Sequence, residues 1–325
     1  MAAARTARAW RWVIVCLAIA LVAVLASGAW ATWRPLSDHD AARLTARDIV
    51  ASVGESSPTE IPRDTVDRQL SALGPEATPS QRERLGERLA QADDSSAVPG
   101  ATSPGSEDDA PGRGALSSAV SRMTELAANQ EDPGLAATMA GIAASWSAEV
   151  AREDPAARPL MRTDMHDDPE AGAPGSEGAD AEADDRCTPE LTAVVTQVDR
   201  ALFTTQSADA RGVGTQDRTQ ALDDWQQNLQ RIQEESAVES LYECEPHPAR
   251  GGYQLPQEIA EDPAAAAGDT ARNVSEYAAG ALNTAAPEER PWLLDVLESS
   301  ARAQALLQPE GSVPALVGEP LATDR

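Results

Sequence analysis

Lysine is absent from this chain: all 26 basic residues are arginine, set against 53 acidic ones, for a formal charge of −27. Arginine in place of lysine, with abundant alanine, indicates GC-rich coding. A field of this sign repels nucleic acid and anionic headgroups and keeps an exported protein soluble, so nucleic-acid binding is excluded. Aromatic side chains are also scarce, with one Phe, three Tyr and seven Trp. Four of the tryptophans, Trp10, Trp12, Trp30 and Trp33, precede residue 34, so any core beyond them must be built from Leu, Val and Ala. Long Ala-rich segments with little β-branched alternation predict helix rather than sheet, because Ala loses no side-chain entropy in a helix. The expected fold class is all-α.

Catalytic material is equally thin. His39, His166 and His247 are widely separated in polar or proline-bracketed settings, which leaves little for a triad or a zinc site. There is no phosphate loop, calcium-loop spacing or nucleophile elbow, and Gly212-Val213-Gly214 lacks the third glycine and the strand of a dinucleotide fingerprint. No catalytic, cofactor-binding or metal-ligating residue is assigned from these patterns, and no cofactor is implied.

What the chain does have begins at its N-terminus. Arg5, Arg8 and Arg11 precede an uninterrupted apolar run from Val13 to Ala26 that continues through small residues to Ala31. As a helix, Trp10 to Trp33 would rise about 36 Å at 1.5 Å per residue, enough to span a bilayer. Paired tryptophans at each end suit the headgroup layers, and the preceding arginines favour a cytoplasmic tail, residues 1–9. The expectation is a single-pass transmembrane anchor, 10–33, with the body outside the cytoplasm at the cell membrane. The alternative is secretion after signal-peptide cleavage, since Ala29-Trp30-Ala31 offers small residues where a signal peptidase reads. Cys16 follows Val13-Ile14-Val15 without the small residue that a lipoprotein site needs, and reads as a core residue of that helix.

Two stretches read as disordered linkers: residues 94–113, and the acidic run 163–186, which offers almost nothing to bury and repels itself. The remainder of 34–162 reads as helical. Three short helices are expected at Asp38 to Val53, Pro62 to Leu73, and from Thr78-Pro79-Ser80 onward, each with a thin apolar stripe that must pack on something else. A hairpin follows, with Leu116, Val120, Met123 and Leu126 on one helix and Leu135, Met139, Ile142, Trp146 and Val150 on the next. The methionines at this spacing read as helix packing.

Residues 187–321 carry four amphipathic helices. Leu191, Val194, Val198 and Leu202 mark the first, after a Thr188-Pro189 start, and Leu222, Trp225, Leu229 and Ile232 the second. The third runs from Pro263 to about Ala285, and the fourth carries Trp292, Leu293, Val296, Leu297, Ala301 and Leu306. Four helices of this length suit a bundle. Cys187 precedes the first and Cys244 follows the second, so antiparallel packing would bring the two thiols to one end. An exported compartment permits a Cys187–Cys244 disulfide, worth roughly 4 kcal/mol in the chain-entropy model.

Several features of this region are similar to an uncharacterised ferritin-like domain family of actinobacteria. Val198-Asp199-Arg200-Ala201-Leu202 running into Ala208-Asp209-Ala210-Arg211-Gly212 resembles that family's first helix, and Tyr253-Gln254-Leu255-Pro256 its stretch after the second. Gly311-Ser312-Val313-Pro314 resembles its proline-containing end. The resemblance covers about Leu191 to Leu321 and implies a ferritin-like four-helix bundle. Di-iron members of that class supply inward Glu residues and Glu-x-x-His pairs. At the corresponding positions this chain has Gln206 and Ser275, with Glu276 one step off the face; Glu234 and Glu235 lack a following histidine, and His247 lies between two prolines. The expected function is therefore a non-catalytic, membrane-anchored binding or scaffold protein of the cell envelope, with another envelope protein as partner. The rival is a metal-binding or oxidoreductase protein of ferritin-like type.

Overall fold

The structure, a computed structural model, describes residues 36–56, 61–95, 113–157, 159–161, 188–234 and 252–318. The anchor expected at 10–33, the acidic linker, His166, Glu235, His247 and all three cysteines lie outside these residues. The described residues are helical with no strand, as expected. In chain order the α-helices are α1 Asp38–Ser56, α2 Arg63–Ala72, α3 Pro79–Ser95, α4 Arg113–Asn129, α5 Pro133–Glu153, α6 Pro189–Asp209, α7 Gln216–Glu234, α8 Pro263–Leu282 and α9 Arg290–Leu307. A single 3-10 turn, Gln257–Ala260, precedes α8.

The helix starts follow local chemistry. Asp132, Thr188 and Asp262 each precede a proline and accept a bond from the backbone N–H three residues on, so α5, α6 and α8 begin with a capped end and a residue that has no N–H to satisfy. Thr78 does the same for α3 and receives a return bond, its own N–H donating to Gln81 Oε1 at 2.9 Å, which completes a capping box. The C-terminus of α2 is closed differently. Gly74 takes the left-handed conformation at φ 83°, and Arg43 and Arg47 of α1 reach across to the freed carbonyls of Leu70, Leu73, Gly74 and Pro75.

The described residues fall into two compact units, one drawn from 1–41 and 76–102, the other from 42–75 and 103–325. In the first, α3 carries Arg88, paired with Asp38, and Arg82, 3.6 Å from Glu76. Leu85 is buried there, whereas Leu89, one turn on, is exposed.

The second unit holds the large core. Helices α6, α7, α9 and α8 pack in a closed ring in which each helix touches the next. Trp292 at the start of α9 donates to the carbonyl of Ile232 near the end of α7 at 3.2 Å, and Gln308 just past the end of α9 donates to Ala265 O near the start of α8 at 3.0 Å, so both contacts are antiparallel. The hairpin α4–α5 packs on the other side of α9. As a result α9 is covered almost all round, every residue from Trp292 to Ala301 being buried, and α5 is covered nearly as completely. A helix buried on all faces must be small or apolar throughout. In α5, Ala136, Ala140, Ala143, Ala144 and Ala148 meet that demand, and Met139, Ile142 and Trp146 fill the gaps between them. The core thus runs across the acidic stretch 163–186 in sequence: hairpin and C-terminal helices belong to one cluster.

After α9 the chain turns back as a strap, residues 311–318, over α5. Ser145 Oγ donates to Pro314 O at 2.8 Å, Arg152 to Gly311 O, and Val317 N–H to Gly141 O at 3.1 Å. From α2, the fully buried Gln69 donates to Ala315 O at 2.8 Å and accepts from Trp146 Nε1 at 3.2 Å.

Candidate functional site

The most unusual side chain in the core is Glu298, on α9 and fully buried. Its neighbours on the same stripe, Leu294, Ala301 and Ala305, are apolar, so the carboxyl enters the core where packing residues stand. It is received by three donors: the Ser147 hydroxyl of α5, Leu160 N–H at 2.6 Å and Met161 N–H at 2.9 Å. Burial pushes the Glu298 pKa up, while the Ser147 hydroxyl, the backbone N–H of Leu160, the charge of Arg302 and the N–H of Met161 pull it back without cancelling the rise. Arg302, one turn on, donates to Ala157 O. Burial lowers its pKa, and Glu298, then Asp224 and Asp154, oppose that. Together Glu298 and Arg302 bind the segment 157–161, just past α5, to the central helix.

Beside that segment lies a cleft of about 290 Å³ between α7, α9 and residues 155–157 with Pro159. Trp225 forms part of its wall from α7, and Asp295, Ser299 and Arg302, spaced three and four apart, face it from α9. Asp295 is paired with Arg231 at 2.7 Å. Trp225 Nε1, Ser299 Oγ and Arg302 Nη1 are buried and find no hydrogen-bond partner among the described residues. Asp224 stands exposed at the rim, accepting from Gln220 at 2.9 Å.

A second cleft, of about 220 Å³, opens between α5, α8, α9 and the strap. Arg152 and Arg272 both line it, but each is committed: Arg152 to the strap carbonyl of Gly311, and Arg272 to Gln308 and Asp269, both at 3.0 Å. Glu149 nearby has its pKa raised by burial, with Arg152 opposing and Glu153 adding to the rise.

Among the described residues, the positions singled out for metal chemistry do not converge. Gln206 and Glu234 are exposed, Ser275 is buried and donates to the carbonyl of Ala271 on its own helix, and Glu276 is half-buried at the second cleft. His39 is exposed on α1. Among the described residues no three His, Cys, Asp or Glu side chains are grouped to hold a metal ion, and no helix is long and apolar enough to cross a membrane. Both Cys187 and Cys244 fall outside the described residues. The residues that sequence reasoning missed are Glu298, Ser299 and Arg302. Glu298 was signalled by its place three and four residues from Ala301 and Leu294; nothing in the sequence marks Ser299.

Comparison with protein-family models, with curated proteins and with solved structures finds no match to this chain.

Proposed function

We propose that this chain is a single-pass envelope protein whose residues 10–33 anchor a non-catalytic helical binding or scaffold module outside the cytoplasm, where it engages another envelope component. The observation that carries the non-catalytic part is the state of the buried carboxylates. Glu298 accepts through both oxygens from one hydroxyl and two backbone N–H donors, and Asp295 is paired with Arg231, so both carboxylates are engaged in holding the fold. The topological part of the ferritin-like reading is supported by the closed ring α6–α7–α9–α8. One long connection, residues 235–262, joins its second and third helices, as in ferritin-like bundles with a single crossover. A Cys187–Cys244 bridge would close the first pair, α6 and α7. That pair already contacts, and Gln233 near the end of α7 donates to Asp199 of α6.

Intact-mass measurement of the chain extracted from membranes tests this reading. A chain in the membrane fraction that keeps residues 10–33, starting at Met1 or at Ala2, with a mass two hydrogens below that of its reduced form, is the expected result. A mature chain beginning at Thr32 contradicts the anchor, and free thiols at both Cys187 and Cys244 contradict the bridge.

A further inference from the structure

The strap 311–318 is held through its main chain. The carbonyls of Gly311, Pro314 and Ala315 accept from Arg152, Ser145 and Gln69, side chains of α5 and α2, and the Val317 N–H donates to Gly141 O. Gln69 is fully buried, and the bond that its oxygen accepts from Trp146 Nε1 orients its amide toward the strap. Main-chain bonds of this kind supply affinity for any segment of the right shape, and specificity then comes from where side chains fit. Ala315 and Val317 are buried, and Gly318, at φ 90°, stands where a Cβ would collide with the Ala279 side chain of α8. The seat thus selects a proline with a small residue after it and a glycine four places on, as in Pro314-Ala315-Leu316-Val317-Gly318.

The strap does not fill that seat. A cleft of about 220 Å³ remains, lined on the strap side by Val313 and Val317 and on the other by Ala148, Ala301 and Ala305. Space left beside small apolar side chains forfeits packing that a larger side chain recovers. A tethered segment holds its place with an effective concentration of mM order, without needing the best fit. A free peptide that also fills the cleft can compete with it.

We propose that the seat formed by α2, α5, α8 and α9 is a peptide-binding groove that residues 311–318 occupy in cis, and that a partner enters it with an apolar Pro-x-x-x-Gly segment carrying a larger side chain into the cleft. This rests on the binding-module reading and gives that module its contact; membrane anchoring does not enter it.

The test is fluorescence anisotropy of labelled peptides with the full chain in mild detergent. The peptides are residues 309–319 as they stand, the same with Val313→Phe, and the Phe form with Gly318→Val. The Phe form is expected to bind about fivefold more tightly than the native peptide, and the Gly318→Val form not to bind. In the chain itself, Gly318→Ala drives the end of the strap off Ala279 and should strengthen binding of the native peptide about tenfold, because the closed fraction falls. In that background, Ser145→Ala and Arg152→Ala each remove a donor to a carbonyl and should weaken binding about threefold to tenfold. If the Gly318→Ala chain misfolds, wild type still decides: saturating Phe peptide should speed proteolytic cutting of the chain within 311–318, read by mass, with α8 and α9 still protected. Absence of binding, equal binding of the Gly318→Val form, or cutting unchanged by the Phe peptide would overturn the groove and leave the anchor, read by intact mass, standing. A wild-type dimer that the native peptide dissolves would assign the seat to a second copy's strap and overturn the partner.

Discussion

Glu298 shows how much of this protein is decided by single side chains. Leu160 and Met161 N–H have their acceptor in its carboxylate. Glu298→Ala strands both, together with the Ser147 hydroxyl, at about 1–3 kcal/mol for each buried donor left unsatisfied. Glu298→Gln keeps the volume but offers one acceptor oxygen in place of two, so it should lose about 1–3 kcal/mol, measured by urea unfolding at neutral pH. The pH dependence has a defined sign. The folded pKa is raised above the ordinary 4.5, so the fold binds the proton more tightly than the unfolded chain does. The stability that Glu298 contributes is therefore complete below the ordinary value and is lost as pH rises through the folded one. Wild type should lose stability relative to Glu298→Gln over that window, while other carboxylates cancel in the difference. A gap that does not change with pH would show that the carboxyl titrates normally. Glu298 was legible in the sequence only as a break in an apolar stripe; that Ser147 and two main-chain groups meet it was not, because backbone donors leave no mark in a residue pattern.

At the scale of elements, starts were easier to read than partners. The pairs Thr188-Pro189 and Thr78-Pro79 announce their helices because a capping oxygen followed by a residue without N–H is a local solution to a local shortage of partners. The strap is the opposite case. Its proline-containing sequence was visible, yet its place over α5 depends on carbonyls held by Gln69, Ser145 and Arg152 and on a glycine that lets two backbones touch. A Cβ at Gly141 would stand 2.8 Å from Val317 O. Gly141→Ala must push the strap away and break the Val317 N–H to Gly141 O bond, at about 1–3 kcal/mol for an overpacked site. Limited proteolysis should then cut within 311–318 faster than in wild type, with α8 and α9 still protected. Unchanged cleavage would mean that the strap does not depend on this approach.

For the whole molecule, helical class followed from composition and period, and the identity of the C-terminal helices from their stripes. What the pattern left open was which helices share a core. The acidic run 163–186 reads as a linker by composition, yet Trp146 and Met139 of the hairpin lie in the same buried cluster as Trp225 and Trp292. The stripes read in α5 and α9 assigned one packed face to each helix; their small residues are what allows the remaining faces to be enclosed as well. One core predicts one cooperative transition. Hydrogen exchange of α5 and α9 should report the same opening free energy, and two well-separated values would show that hairpin and bundle unfold as independent domains.

The function proposed for this body stands on its carboxylates being structural, and metal content tests that most directly. The full chain, expressed with iron and manganese supplied and purified in detergent without chelator, should carry metal only far below one ion per chain. Stoichiometric iron or manganese would contradict the account and return the protein to the oxidative ferritin-like class, with Glu234, Glu235, Glu276 and His247 as the residues to examine.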